Sequence, residues 1–129
     1  MKKDLGKIIV RENSTLRQVV GKMNKSNLNV VLICSRYNRL RGLMTYGDVR
    51  RAIHQGLTLD SSIKKIYNKN PEIAYNDWSQ SKLKKIAFKK IENIGSSIHV
   101  PVINNEGKLV DLAIADESGI SLVSKINVN

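Results

Sequence analysis

The chain has 129 residues, is 41% apolar, and sets 22 Lys and Arg against 11 Asp and Glu, a formal net charge of +11. That length fits one ordinary domain or two small repeats. Cys34 is the only cysteine, which excludes an internal disulfide framework, and no apolar run approaches the roughly 20 residues of a membrane span. With one Trp and one Phe, aliphatic residues must fill the core. The start does not read as a secretory signal: Met1-Lys2-Lys3 is basic, but the apolar run Ile8-Ile9-Val10 is short and charge follows it. A lone thiol suits a reducing cytoplasm, where the chain is expected.

Ile8-Ile9-Val10 reads as a short strand and Glu12-Asn13-Ser14 as a turn. Thr15 and Gln18 have capping-box spacing. Leu16, Val19, Val20 and Met23 then recur at helical spacing, one face of a helix that the polar run Asn24 to Asn29 ends. Val30 to Cys34 is continuously apolar, the pattern of a strand buried on both faces, with Cys34 inside it. Ser35 to Arg39 is a turn, and Leu40 to Thr45 a second strand. Asp48 opens a helix with Val49, Ala52 and Ile53 on one side and Arg50 and Arg51 on the other; Gly56 ends it. Leu59-Asp60-Ser61-Ser62 reads as another cap, Ile63, Ile66 and Tyr67 as a short apolar stripe, and Asn68-Lys69-Asn70-Pro71 as a boundary.

The second half starts over. Glu72 to Tyr75 is a strand and Asn76-Asp77 a turn. Leu83, Ile86, Ala87, Ile91 and Ile94 line a helix, with Lys82, Lys84, Lys85, Lys89 and Lys90 on its wet face. His99 to Ile103 and Leu109 to Ala113 are strands joined by Asn104-Asn105-Glu106-Gly107. A shift of 69 residues lays Val31-Leu32-Ile33 on Val100-Pro101-Val102 and Leu43 on Leu112, while the first strands, at Ile9 and Ile73, are offset by 64. An internal repeat of this length is an architectural signal, and each half alone has too little core to stand.

Chemistry concentrates between Gly42 and Arg51. Thr45, Asp48, Arg50 and Arg51 cluster at one helix N-terminus, where unpaired N–H groups favour anions. Thr45 and Asp48 can accept hydrogen bonds from a ribose diol, and an arginine can grip phosphate bidentately. The same residues also suit a plainer reading, with Asp48 as an N-cap and the arginines as a solvated face. His54 and His99 fall in different halves, there is no Gly-Lys-Ser or Gly-Lys-Thr phosphate loop, and one Cys with two His supplies no zinc site. No metal or catalytic residue is expected, and the chain is read as no enzyme.

A β-α-β-β-α unit that is repeated, with Gly42-Leu43-Met44-Thr45-Tyr46-Gly47-Asp48 closing its first copy, resembles a pair of cystathionine-β-synthase (CBS) domains over about residues 7 to 117. Asp48-Val49-Arg50-Arg51-Ala52-Ile53 with Gln55-Gly56, Leu59-Asp60, Asn70-Pro71 and Val100-Pro101-Val102 add to the likeness. The resemblance implies an α+β fold, two β-α-β-β-α repeats about a pseudo-twofold axis, the second truncated at its last helix. Residues 1–70 would form the first repeat, 71–118 the second and 119–129 a tail or linker, with Val30–Cys34 and His99–Ile103 both buried. It also implies a regulatory module, homodimeric, that binds an adenine nucleotide such as AMP or ATP in the cleft between repeats. Thr45 and Asp48 would hold the ribose, Arg50 or Arg51 the phosphates, and Ile9, Val10 and Pro101 would flank the base.

The second copy departs from the pattern: Asp111 stands for Gly, Ile114 for Thr, Glu117 for Asp, and Gly119-Ile120 for the arginines, so one competent site per chain is expected. The Asp-Val-Arg-Arg-Ala-Ile form also looks like CBS pairs that precede sugar-nucleotide transferase domains, which implies an attached or partner nucleotidyltransferase. The alternative is a basic module that has lost its ligand and binds nucleic acid or a partner protein. Against nucleic acid, the cations are dispersed and seldom interleaved with aromatic residues.

Overall fold

Local capping starts each helix of the first half. In the computed structural model, which describes residues 5–79, 81–86, 98–116 and 119–125, Thr15 Oγ1 accepts from the Gln18 N–H, and the Gln18 side chain accepts from the Thr15 N–H at 2.9 Å. This capping box opens α1 (Leu16–Ser26), which buries Leu16, Val19 and Met23, the apolar stripe of the sequence. Asn27, with φ at 59°, closes it in the left-handed region.

The chain divides into two compact units, Gly6–Pro71 and a second that starts at Glu72, with which Leu5 groups. In the first unit β1 (Ile9–Val10) runs parallel to β2 (Val30–Cys34), and β2 antiparallel to β3 (Leu40–Thr45), in the order β1-β2-β3. Every residue of β2 is buried, as a strand covered on both faces must be. Helix α1 and a second helix, α2 (Tyr46–His54), join this sheet around Val31, Ile33, Met44, Val49 and Ala52. Ile53, expected beside Val49 and Ala52, is exposed; it lies at the margin of the stripe, and the smaller Ala52 takes the inward position.

Leu59-Asp60-Ser61-Ser62 starts no helix. The Thr58 N–H donates to Ser61 Oγ at 2.9 Å in a turn, and the chain is then stitched to the unit by the bridges Thr15↔Ser62 and Leu43↔Asn68. Ile63 and Tyr67 enter the core between those bridges.

The second unit has the order β4-β5-β6-β7: β4 (Ala74–Tyr75), β5 (Ile98–Ile103), β6 (Leu109–Asp116) and β7 (Gly119–Leu122). Residues 81–86 are helical, with Leu83 buried and Lys82, Lys84 and Lys85 exposed, in keeping with the sequence pattern. Ala87, Lys89, Lys90, Ile91 and Ile94 lie outside the described residues.

The repeat holds at the level of register. Leu32↔Leu43 and Val31↔Met44 in the first hairpin become Pro101↔Leu112 and Val100↔Ala113 in the second. The irregularity between Ile33 and Cys34 recurs between Val102 and Ile103. Both turns close alike: the Ser35 N–H donates to Arg39 O at 2.8 Å, and the Asn104 N–H to Lys108 O at 2.9 Å.

Two expectations change. β5 is not buried throughout: Ile98 and His99, at its start, are half-buried. No tail or linker begins at residue 119. Gly119–Leu122 is a strand paired with β6, which itself runs on past Ala113 to Asp116. Ile120 and Leu122 pack on the second core, so these residues have apolar surface to bury. The buried Asp111 secures the next turn (Val123–Lys125): its carboxylate accepts from the Ser124 N–H at 3.1 Å and from the Ser124 hydroxyl.

Candidate functional site

The site is built where β3 passes into α2. Gly42 is needed upstream of it, because a Cβ there would stand 2.1 Å from the Asn68 carbonyl oxygen and 2.8 Å from the Tyr67 ring. That close approach holds β3 against the segment that plugs the core. Three residues on, the strand ends at Thr45, which caps α2. Thr45 Oγ1 accepts from the Asp48 N–H at 3.4 Å, and Asp48 Oδ2 accepts from the Thr45 N–H at 2.8 Å and its hydroxyl at 3.2 Å. Asp48 therefore does not open the helix or cap it alone. Thr45 is the N-cap, and Asp48 is its partner three residues later, because a carboxylate there reaches back to the cap N–H.

The other Asp48 oxygen accepts from Arg51. The guanidinium folds back over Gly47, where a Cβ would stand 3.5 Å from Nη1. Arg50 points from the exposed face. A hydroxyl, a carboxylate and two guanidinium groups thus share one helix start, and Thr45 and Asp48 are each half-buried. The hydrogen bonds that satisfy Thr45 and Asp48 within the chain also hold them in fixed positions.

The remaining site residues are elsewhere. Ile9 and Val10 line a hollow of about 610 Å³ between β1 and α1, with Lys7, Arg11, Lys22 and Lys25 around it. Sequence reading missed these cations; the signal was available in Lys22 and Lys25, on the helix face away from the Leu16–Val19–Met23 stripe. Pro101 belongs to the second unit, buried in β5 opposite Leu112. In that unit Ile114 lies within β6, paired with His99 and Ser121, and Gly119 and Ile120 belong to β7. Glu117 is outside the described residues. Where the first unit has a capped helix, the second has the end of β6 and the paired strand β7.

Burial lowers the pKa of His99, and His54 is exposed. Burial pushes the Cys34 thiol up to about 11, against the opposing pull of Arg11, so it is protonated and a poor nucleophile at neutral pH. Among the described residues no three His, Cys, Asp or Glu side chains gather as a metal site, and no helix is long and apolar enough to cross a membrane.

Residues 1–55 match the CBS domain family. A protein of Rickettsia prowazekii (strain Madrid E), itself uncharacterized, is 32% identical over 87 residues, 67% of this chain and 27% of the relative. The chain thus spans about a quarter of the curated relative it matches. Among solved structures, a CBS domain protein of Pyrobaculum aerophilum complexed with AMP superposes with a TM-score of 0.68 at 24% identity, over 81% of this chain and 77% of that one. The CBS domain pair of protein MJ0100, solved with 5′-methylthioadenosine and S-adenosyl-L-methionine, gives 0.66 at 22% identity, over 89% and 83%. Likeness at these identities speaks to fold. The chain has the mixed α+β fold of a CBS-domain pair, and its first 55 residues carry the CBS domain sequence pattern.

Proposed function

We propose that the chain is a regulatory module that binds an adenine nucleotide of the AMP or ATP class at the start of α2 and controls an enzyme on the same or a partner chain. One observation carries the reading: the Thr45 hydroxyl and Asp48 carboxylate are fixed on a helix N-terminus with Arg50 and Arg51 beside them. A ribose diol would take the acceptors, the arginines would meet phosphate, and the helix dipole favours the negative charge. The structural neighbours add support, since AMP, methylthioadenosine and S-adenosylmethionine, named with those proteins, share adenosine. Ile9 and Val10 would flank the base. We place one site in each chain, because Ile114 offers no hydroxyl and no arginine follows it at Gly119 and Ile120. The module would act as a homodimer. The likeness to pairs that precede sugar-nucleotide transferases gains no support from these relatives, so the controlled activity is left as an enzyme of unspecified reaction.

The competing reading is a basic module without a nucleotide, binding nucleic acid or a partner protein. It is favoured by the completeness of the capping box, which gives Thr45 and Asp48 a role of their own. Titration calorimetry with AMP and ATP separates the two. Asp48→Ala removes a charge-assisted hydrogen bond worth about 1.5–3 kcal/mol, or roughly ten- to a hundredfold in affinity. Arg50→Ala, at an exposed position with no part in the cap, should weaken binding while leaving the fold intact. If no nucleotide binds, or if neither change alters affinity, the cap reading stands. Steeply salt-dependent duplex binding would then mark a nucleic-acid module.

A further inference from the structure

At the opposite end of the first sheet lies a second, more polar hollow of about 440 Å³, within the range of small-ligand pockets, roughly 300–1,000 Å³. Arg41, near the start of β3, helps line it. Thr45 ends the same strand four residues later, about 13 Å away at strand rise, so the hollow is separate from the helix start. Arg11 follows β1, Arg36 sits in the turn after β2, and Lys64 comes from the segment that plugs the core. Four cations therefore converge from four stretches of chain.

Glu12 is the one carboxylate among the lining residues, which leaves a surplus of three positive charges. Its Oε1 is already occupied, accepting from the Tyr67 hydroxyl at 2.9 Å. Arg11 is braced by donating to the Cys34 carbonyl at 3.3 Å. None of the ion pairs formed among the described residues uses Arg36, Arg41 or Lys64.

The second unit supplies an internal control. A hollow of about 410 Å³ opens at the same end of its sheet, lined by Tyr75, Asn76, Trp78 and Val110 among others. Under the repeat offsets, 64 for the first strands and 69 for the hairpins, Arg11 becomes Tyr75, Glu12 becomes Asn76 and Arg41 becomes Val110. The fold does not require basic residues here; the first unit has placed them.

We propose that this hollow is an anion site for a compact polyphosphate chain, gripped by Arg11, Arg36, Arg41 and Lys64 and independent of the Thr45–Asp48 helix start. Convergent guanidinium groups meet several phosphoryl oxygens at once, which favours a chain of phosphates over a single one. The phosphate chain could be free or the tail of a nucleotide.

The test is calorimetric titration of the full chain at physiological salt with tripolyphosphate, orthophosphate and ATP. Tripolyphosphate should bind once per chain and more tightly than orthophosphate. The double variant Arg36→Gln/Arg41→Gln should weaken it by at least about tenfold, since each removes a charge-assisted contact. Lys64→Gln, on a different segment, should weaken it less. Asp48→Ala should leave it unchanged. ATP binding that falls in the arginine double variant but survives Asp48→Ala identifies the ligand as a nucleotide tail; ATP binding indifferent to the arginines identifies free polyphosphate. All three positions are exposed, and unchanged thermal unfolding verifies that the variants fold. The proposal is overturned by non-saturable tripolyphosphate binding, by equal affinity in the arginine double variant, or by an equal loss in Lys82→Gln/Lys85→Gln, which would reduce the effect to general charge.

Discussion

Where the first unit turns from β3 into a capped helix, the second continues its strand to Asp116 and folds back as β7. The two hairpins agree residue for residue in register and in their turn hydrogen bonds, so the two units can be compared column by column, and one column is telling. That column holds Gly42 in the first unit and Asp111 in the second. Gly42 admits the Tyr67–Asn68 backbone against its strand. Asp111 instead extends a carboxylate to Ser124, and also accepts from its neighbour's N–H, Leu112, at 2.8 Å. The same strand is thus held down from outside by backbone contact in one unit and by a side chain in the other. The element after the strand differs as well, a helix in one unit and a strand in the other, and the candidate nucleotide groups exist in only one.

The largest effect should come from exchanging these solutions. Gly42→Ala drives a Cβ into the backbone at Asn68 and should cost about 3 kcal/mol, at the upper end of overpacking penalties. Urea unfolding measures this, and a loss no greater than that of an exposed substitution would break the comparison. Asp111→Ala strands the Ser124 and Leu112 N–H groups and should cost about 2 kcal/mol, with faster amide exchange at the end of β7; unchanged exchange there would refute the tethering role. Thr45→Ala should cost about 1 kcal/mol, the loss of an N-cap, and should leave the second unit's exchange pattern untouched.

The smallest effect is a pH dependence confined to the second unit. Burial depresses the pKa of His99 below 6.5; the aligned residue in the first unit is Val30. Between the folded value and 6.5 the unfolded chain binds more protons, so stability rises with pH through that window and falls as pH drops below 6.5. His99→Val should flatten this acid limb, as followed by thermal unfolding across pH. An unchanged limb would show that other groups carry it.

Much of the fold is legible in the sequence because it rests on short-range rules. The Thr15 capping box, the all-apolar β2 and the 69-residue repeat are written in nearby residues. The family resemblance rests on that repeat and on the Gly42–Asp48 stretch. The Thr45 cap is not read from them: the sequence assigns that role to Asp48. The features that do not show depend on partners distant in sequence. Gly119-Ile120-Ser121 is poor helix sequence, and the strand formed by Gly119–Leu122 depends on β6 as a template, which local residues do not reveal. The role of Asp111 depends on Ser124, thirteen residues on. Asp48 reads both as a cap and as a ligand group, and its bond to Thr45 shows why residue type alone does not separate the two: the geometry that presents the carboxylate is the cap itself. The basic hollow is invisible in sequence because its cations come from four separated stretches and look dispersed along the chain.

The bridges Thr15↔Ser62 and Leu43↔Asn68 have a bearing on the order of assembly. Ile63, with no exposed surface, and Tyr67 complete a core whose other buried members all lie at or before Ala52. The chain that makes the sheet and helices of the first unit is complete at residue 54, but the unit is sealed only when residues 57–68 have emerged and closed the long loop back to Thr15. During synthesis on the ribosome, that interval leaves the Leu16–Val19 face uncovered, and the sealing segment is also the stretch of chain that leads into the next unit.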